Sequence, residues 1–72
     1  MDDEQYQAEV MDAIGYLKQH GSDVAVDAAR GNKQAAKIMS AYLLFQAKHE
    51  SGALGILTAA IDDYKATKAS AA

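Results

Sequence analysis

Two histidines and two pairs of adjacent aspartates are the side chains in this sequence best suited to metal or acid–base chemistry. His20 and His49 each fall near a predicted helix end, where a protonated imidazole is stabilised by the helix dipole. Neither belongs to a His-x-x-x-His or Glu-x-x-His pattern, the helical spacings that aim two ligands at one ion. The sequence therefore predicts that both histidines are helix-end cations and that the chain holds no metal.

The other groups that chemistry would need are missing or dispersed. The pairs Asp2-Asp3 and Asp62-Asp63 do not lie in a loop with the alternating oxygen ligands that calcium requires, so we interpret them as surface charge. The five glycines do not form a phosphate-binding loop. The sequence offers no combination of a nucleophile, a general base and a group to orient the base. We therefore expect that the chain is not an enzyme and uses no cofactor.

The composition indicates which elements must position these residues. The 72 residues include no proline and no cysteine, and half are apolar, which favours helix throughout. A core of this size supplies only about 3–5 kcal/mol of net stability. We therefore expect an all-α fold, a single domain in which three to four short helices form a compact bundle that homodimerisation could complete.

Glycines and capping residues predict where each helix begins and ends. Gly21 follows the first apolar stretch and can end the first helix in a left-handed conformation. Gly31 can end a short second helix, and the side chain of Asn32 can cap the N-terminus of the next one. Ser51 and Gly52 interrupt the pattern again, although the last two helices could also form one bent helix. The predicted helices span about 3–20, 23–30, 33–49 and 53–67, followed by a frayed tail over 68–72.

Helical spacing predicts which side chains face the core. The third helix is the most apolar and should be central. The core residues expected from the first, third and fourth helices are Tyr6, Val10, Ala13, Ile14 and Leu17; Ala35, Ile38, Met39, Tyr42 and Phe45; and Leu54, Leu57, Ala60, Ile61 and Tyr64.

Two large side chains fall on otherwise polar helix faces. Leu44 lies among lysines of the third helix, and Tyr16 lies on the acidic face of the first. An apolar or aromatic anchor within a charged rim is the composition of a protein-binding hot spot. The predicted protein-binding residues are Leu44, Lys33, Lys37, Lys48, Tyr16, Glu9 and Asp12.

These faces favour a small non-enzymatic protein-binding module, such as an adaptor, inhibitor or modulator of a larger protein. Residues 1–30 carry a formal charge of −5 and residues 31–72 carry +2, so the Leu44 face of one copy could meet the Tyr16 face of another in a homodimer. A subunit that completes another protein's active site is an alternative that the sequence does not separate from this one.

A DNA-binding regulator is the other alternative. Segment 23–45 could form a helix-turn-helix, and the residues that would contact nucleic acid are Arg30, Asn32, Lys33, Gln34 and Lys37. Against this interpretation, the chain is acidic overall, has one arginine, and places Leu44 on the same stripe. We therefore expect another protein, rather than nucleic acid, as the partner.

The sequence also bears on location. The first residues are acidic where a secretory signal would be basic, and the longest nearly apolar run, 53–61, is too short to cross a bilayer. Cysteine is absent, which fits a reducing compartment. The sequence predicts a cytoplasmic protein without a membrane role.

Overall fold

Three helices connected by short turns make up the computed structural model, which describes residues 2–71, and side chains as far as residue 70. These helices are α1 (Asp3–Ala29), α2 (Lys33–Ala47) and α3 (Ser51–Ala71), with no strand over the described range. The all-α prediction is confirmed. No helix of the described part is long and apolar enough to span a membrane.

α1 is one continuous helix, which corrects the prediction of separate helices over 3–20 and 23–30. Asp2 caps it by accepting a hydrogen bond of 2.7 Å from the Gln5 backbone N–H. Gly21 keeps a helical backbone, since Gly31 alone among the described glycines has a positive φ. Continuing the helix buries Val24 in the core, and this burial offsets the roughly 1 kcal/mol that an interior glycine costs.

The turn between α1 and α2 is built from Arg30, Gly31 and Asn32. Gly31 has a φ of 93°, a left-handed conformation that favours glycine. The Asn32 side chain then accepts a hydrogen bond of 2.8 Å from the Ala35 backbone N–H and so caps α2. This compact turn sets α2 directly against α1.

α2 and α3 are separate helices, as predicted, and not one bent helix, but their bounds differ from the predicted 33–49 and 53–67. α2 ends at Ala47 because Lys48 adopts an extended backbone, with φ −135° and ψ 97°. His49 therefore lies beyond the end of α2, and its ring stacks on Phe45 at 5.0 Å between centroids. His20 lies within α1 and not at its end, so its interpretation as a helix-end cation is wrong.

One hydrophobic cluster draws on all three helices, with α2 in contact with both α1 and α3. Alanines at many of its positions allow the helices to approach closely, and the radius of gyration is 12.0 Å. The buried residues are Ala13 and Val24 of α1; Ala35, Ile38, Ala41 and Phe45 of α2; and Ala53, Leu54, Leu57, Ala60, Ile61 and Tyr64 of α3.

α3 continues through most of the segment predicted to be a frayed tail over 68–72. The Tyr64 hydroxyl donates a hydrogen bond of 2.6 Å to Asp27, and the Lys68 ammonium lies 2.7 Å from the same carboxylate oxygen. The Asp27–Tyr64–Lys68 cluster ties the last turns of α3 to the end of α1, so the helix persists where the composition alone predicts fraying. Ala72 lies outside the described residues.

Gly21 and Gly31 were both predicted to end helices, but replacing each with alanine should change the free energy of unfolding in opposite directions. A Cβ at Gly21 meets no atom within 4 Å and the backbone there is helical, so Gly21→Ala should raise the free energy of unfolding by about 0.5–1 kcal/mol. Gly31→Ala should lower it by about 1 kcal/mol or more because of the positive φ. Urea unfolding followed by circular dichroism measures both, and a destabilising Gly21→Ala would contradict a continuous α1.

Candidate protein-binding grooves

The lysine-rimmed Leu44 of the sequence analysis lies in an open groove between α2 and α3. Leu44 is 39% exposed, and Ile56 of α3, which the sequence analysis had not singled out, is 54% exposed beside it. The groove has a volume of about 690 Å³. We call it the Leu44 groove; its lining is Lys33, Ala36, Lys37, Ser40, Ala41 and Leu44 of α2, and Ile56, Ala59, Ala60 and Asp63 of α3.

Helical spacing explains this lining. Lys33 and Lys37 are four residues apart, and Lys37 and Leu44 are seven apart. These spacings place all three on one face of α2. Ile56 and Asp63 are seven residues apart and share one face of α3. Of the predicted rim, the structure brings Lys33 and Lys37 into the groove, whereas Lys48 lies at the end of α2 and does not line it.

Tyr16 occupies a second groove, between α1 and α3. We call it the Tyr16 groove; its lining is Glu9, Asp12, Ala13 and Tyr16 of α1, and Thr58, Ile61, Asp62 and Lys65 of α3. The predicted acidic neighbours Glu9 and Asp12 do line this groove with Tyr16. The ring, however, is half-buried against the core, and the Lys65 ammonium lies 4.7 Å from its centroid. Burial raises the pKa of Tyr16. Lys65 therefore covers and partly neutralises the site that the sequence predicted as an acid-rimmed aromatic.

The adjacent aspartates of α3 point to different grooves. Asp62 lines the Tyr16 groove and Asp63 lines the Leu44 groove, because successive residues are 100° apart around a helix. Within the described part of the chain, no cluster of three His, Cys, Asp or Glu residues is arranged to hold a metal ion.

A third groove, between α1 and α2, is the feature that sequence reasoning missed. Met39 and Leu43 of α2 are 44% and 65% exposed, although Met39 was predicted to face the core. The groove has a volume of about 460 Å³. We call it the Leu43 groove; its lining is Ile14, Leu17, Lys18, Gly21 and Val24 of α1, and Ile38, Met39, Tyr42 and Leu43 of α2.

One signal in the sequence could have revealed the Leu43 groove. The run from Ile38 to Phe45 places large apolar residues on more than half of the circumference of α2. A helix with only two neighbours does not bury so broad a surface. Residues such as Leu43 and Leu44, on opposite sides of the buried stripe, must then be left exposed together.

The residues proposed for nucleic-acid contact serve several local purposes. Asn32 uses its side chain to cap α2, and Gln34 is half-buried. Lys33 and Lys37 line the Leu44 groove beside the acidic Asp63, and Arg30 is exposed at the turn. Phosphate contacts would have to form next to an apolar groove that also carries an acid.

The Asp27–Tyr64–Lys68 cluster couples three titratable groups through direct hydrogen bonds. Hydrogen bonds from Lys68 and then Tyr64 lower the pKa of Asp27, and the same bond to Asp27 raises the pKa of Lys68. Burial, followed by the hydrogen bond to Asp27, raises the pKa of Tyr64 to about 12. At pH 7 the cluster therefore consists of a charged carboxylate, a charged ammonium and a neutral phenol, which together link α1 to α3.

Comparisons with protein-family models, with curated proteins and with solved structures found no match to this chain.

Removing the Tyr64 hydroxyl should weaken the fold in a pH-dependent way. Tyr64→Phe loses a partly buried hydrogen bond to a carboxylate and should lower the free energy of unfolding by about 1–2 kcal/mol at pH 7. Tyr42→Phe, which removes a hydroxyl from a half-buried ring of α2, is the matched control and should change it by less than about 0.5 kcal/mol.

The advantage of the natural chain over Tyr64→Phe should shrink as pH rises from 10 toward 12. In this interval the unfolded Tyr64 ionises near its ordinary pKa of 10, whereas the folded phenol, with a pKa of about 12, stays neutral. Urea titrations at several pH values from 7 to 11.5 measure the difference. A stability difference that is constant with pH would contradict the linkage between burial of Tyr64 and folding.

Proposed function

We propose that this chain is a small non-enzymatic protein-binding module, an adaptor, inhibitor or modulator of a larger protein, that acts through exposed helix faces in the cytoplasm. One observation supports it above all. The surface of α2 is apolar on more sides than α1 and α3 cover, so Met39 and Leu43 are exposed on one side and Leu44 on the other.

The physical chemistry of such a surface favours association. Contiguous exposed apolar side chains with polar neighbours are typical of protein-interaction sites. Fully burying one large apolar side chain contributes roughly 1.5–3 kcal/mol. Leu43, at 65% exposure, has most of this free energy still to gain from a partner. A chain of 72 residues with a small core also gains stability by binding.

The Leu43 groove has the shape of a helix-binding site. Ile14, Leu17 and Gly21 follow one another at helical spacing along α1, and Met39 and Leu43 form the opposite wall from α2. We infer that the partner is an amphipathic helix with apolar residues at positions i, i+3 or i+4, and i+7, which would lie between α1 and α2 as a fourth helix.

Two details of the groove refine this inference. Gly21 has no side chain, so it leaves space at the floor of the groove where the partner helix approaches α1. Met39 is unbranched and polarisable, so it can adapt to different apolar partners. Lys18 is the charged residue of the lining, and we therefore expect an acidic residue on the partner at the rim.

A charge placed in the Leu43 groove should abolish partner binding. Leu43→Glu should reduce capture of the partner from the native host at least about tenfold, because a carboxylate would be desolvated in an apolar contact. Gln46→Glu adds the same charge at an exposed α2 position that lines none of the three grooves, and should leave capture unchanged. The measurement is cross-linked affinity purification with quantitative mass spectrometry, followed by calorimetry with the purified partner.

Two results would contradict the proposal. Equal enrichment of every protein by the natural chain, Leu43→Glu and an empty tag would exclude the Leu43 groove as the binding site. Loss of binding by Gln46→Glu as well would show that charge alone, and not the groove, determines association.

A further inference from the structure

We propose that the Leu44 groove is a contact surface for a second copy of this chain, in a dimer with two-fold symmetry. This inference goes beyond the proposed function, because binding of a partner helix in the Leu43 groove does not require it. It rests on the shape of the Leu44 groove and on the distribution of its charges.

The apolar part of the groove suits a close helix–helix contact. Leu44 and Ile56 supply exposed apolar side chains from the two helices. Ala36, Ser40 and Ala59, which also line the groove, are small, so the α2 and α3 of a second copy can approach closely. The lining runs from Lys33 to Leu44 along α2, about 16 Å at 1.5 Å per residue. Two such surfaces face to face form a four-helix layer with a shared apolar centre.

The charges of the groove are self-complementary. Lys33 and Lys37 lie on its α2 side, and Asp63 lies on its α3 side. None of these three side chains forms an ion pair with another described residue, since the ion pair found over residues 2–70 is that of Asp27 and Lys68. A two-fold axis sets each patch against itself, so the lysine side of one copy can face the aspartate side of the other, and each attraction occurs twice.

The other grooves are less suited to a second copy. The Leu43 groove has Lys18 as its charged lining residue, so a two-fold contact there would gather like charges without an acid in the lining. Pairing the Leu44 groove with Tyr16 of another copy would require displacing Lys65 from the Tyr16 ring. That pairing would also be head-to-tail, and such contacts extend into rings or filaments unless they close.

The test is sedimentation equilibrium of the full chain from about 10 µM to 1 mM in low salt. The natural chain should approach twice its 7.6 kDa mass at high concentration. Asp63→Lys should weaken the dimer dissociation constant by about tenfold, because the patch becomes entirely basic. The matched control is Asp62→Lys, which makes the same change one residue away in the Tyr16 groove and should leave the dissociation constant unchanged.

Charge reversal provides the sharper comparison. Combining Lys33→Glu and Lys37→Glu with Asp63→Lys inverts both sides of the groove and should restore dimerisation to within about threefold of the natural chain. Leu44→Glu should weaken the dimer by about 100-fold, because the two-fold axis repeats the buried charge. Leu43→Glu should leave the dimer intact. Circular dichroism verifies that each variant is folded, as expected for exposed positions.

Three results would overturn the inference. The first is a monomeric mass for the natural chain at 1 mM. The second is an equal weakening of the dimer by Asp62→Lys and Asp63→Lys, which would show that the effect comes from net charge and not from the Leu44 groove. The third is dissociation by Leu43→Glu but not by Leu44→Glu, which would move the dimer contact to the other groove. A dimer that survives while Leu43→Glu still binds the partner would instead contradict the proposed function alone.

Discussion

The hydrogen bond from the buried Tyr64 phenol to Asp27 is the polar constraint that aligns the ends of α1 and α3 over the shared hydrophobic core. The Tyr64 side chain of α3 is 2% exposed and lies in the hydrophobic core, so its hydroxyl needs a hydrogen-bond partner inside the protein. Asp27, in the last turn of the continuous α1, supplies that partner. The same carboxylate then holds Lys68, which keeps α3 helical beyond the point where the composition predicts fraying. These polar contacts link the end of α1 to the last turns of α3.

This arrangement decides which apolar residues are left exposed. With α1 and α3 held together at their C-terminal ends, α2 contacts each of them along a narrow stripe of small and medium side chains such as Ala35, Ile38 and Ala41. The remaining apolar residues of α2 have no neighbour to cover them. They form the walls of two grooves, one with α1 and one with α3, whose charges differ. The difference in charge supports separate roles, a partner helix in the Leu43 groove and a second copy in the Leu44 groove.

Most of the helical content and much of the core could be predicted from the sequence, because they follow from apolar spacing and capping residues that act locally. The capping of α2 by Asn32 and the turn at Gly31 are of this kind. The continuity of α1 could not be predicted, since a glycine's intrinsic cost is about 1 kcal/mol and the burial of Val24 that offsets it is a tertiary contact. The covering of Tyr16 by Lys65 depends in the same way on how α3 packs against α1. Leu44 could be identified because a helical wheel of α2 alone places this apolar residue among lysines. The exposure of Ile56 and Leu43 depends on how two helices pack against each other, so it could not be read from one helix.

Amide chemical shifts of the ¹⁵N-labelled chain, recorded while it is diluted from about 1 mM to about 20 µM, test the central claim most directly, namely that the two apolar sides of α2 serve different partners. The account predicts concentration-dependent shifts confined to the Leu44 groove, at Lys37, Leu44, Ile56 and Asp63, while Met39 and Leu43 stay constant and free for a partner helix. Shifts centred on Met39 and Leu43, or spectra that do not change over the whole range, would contradict it.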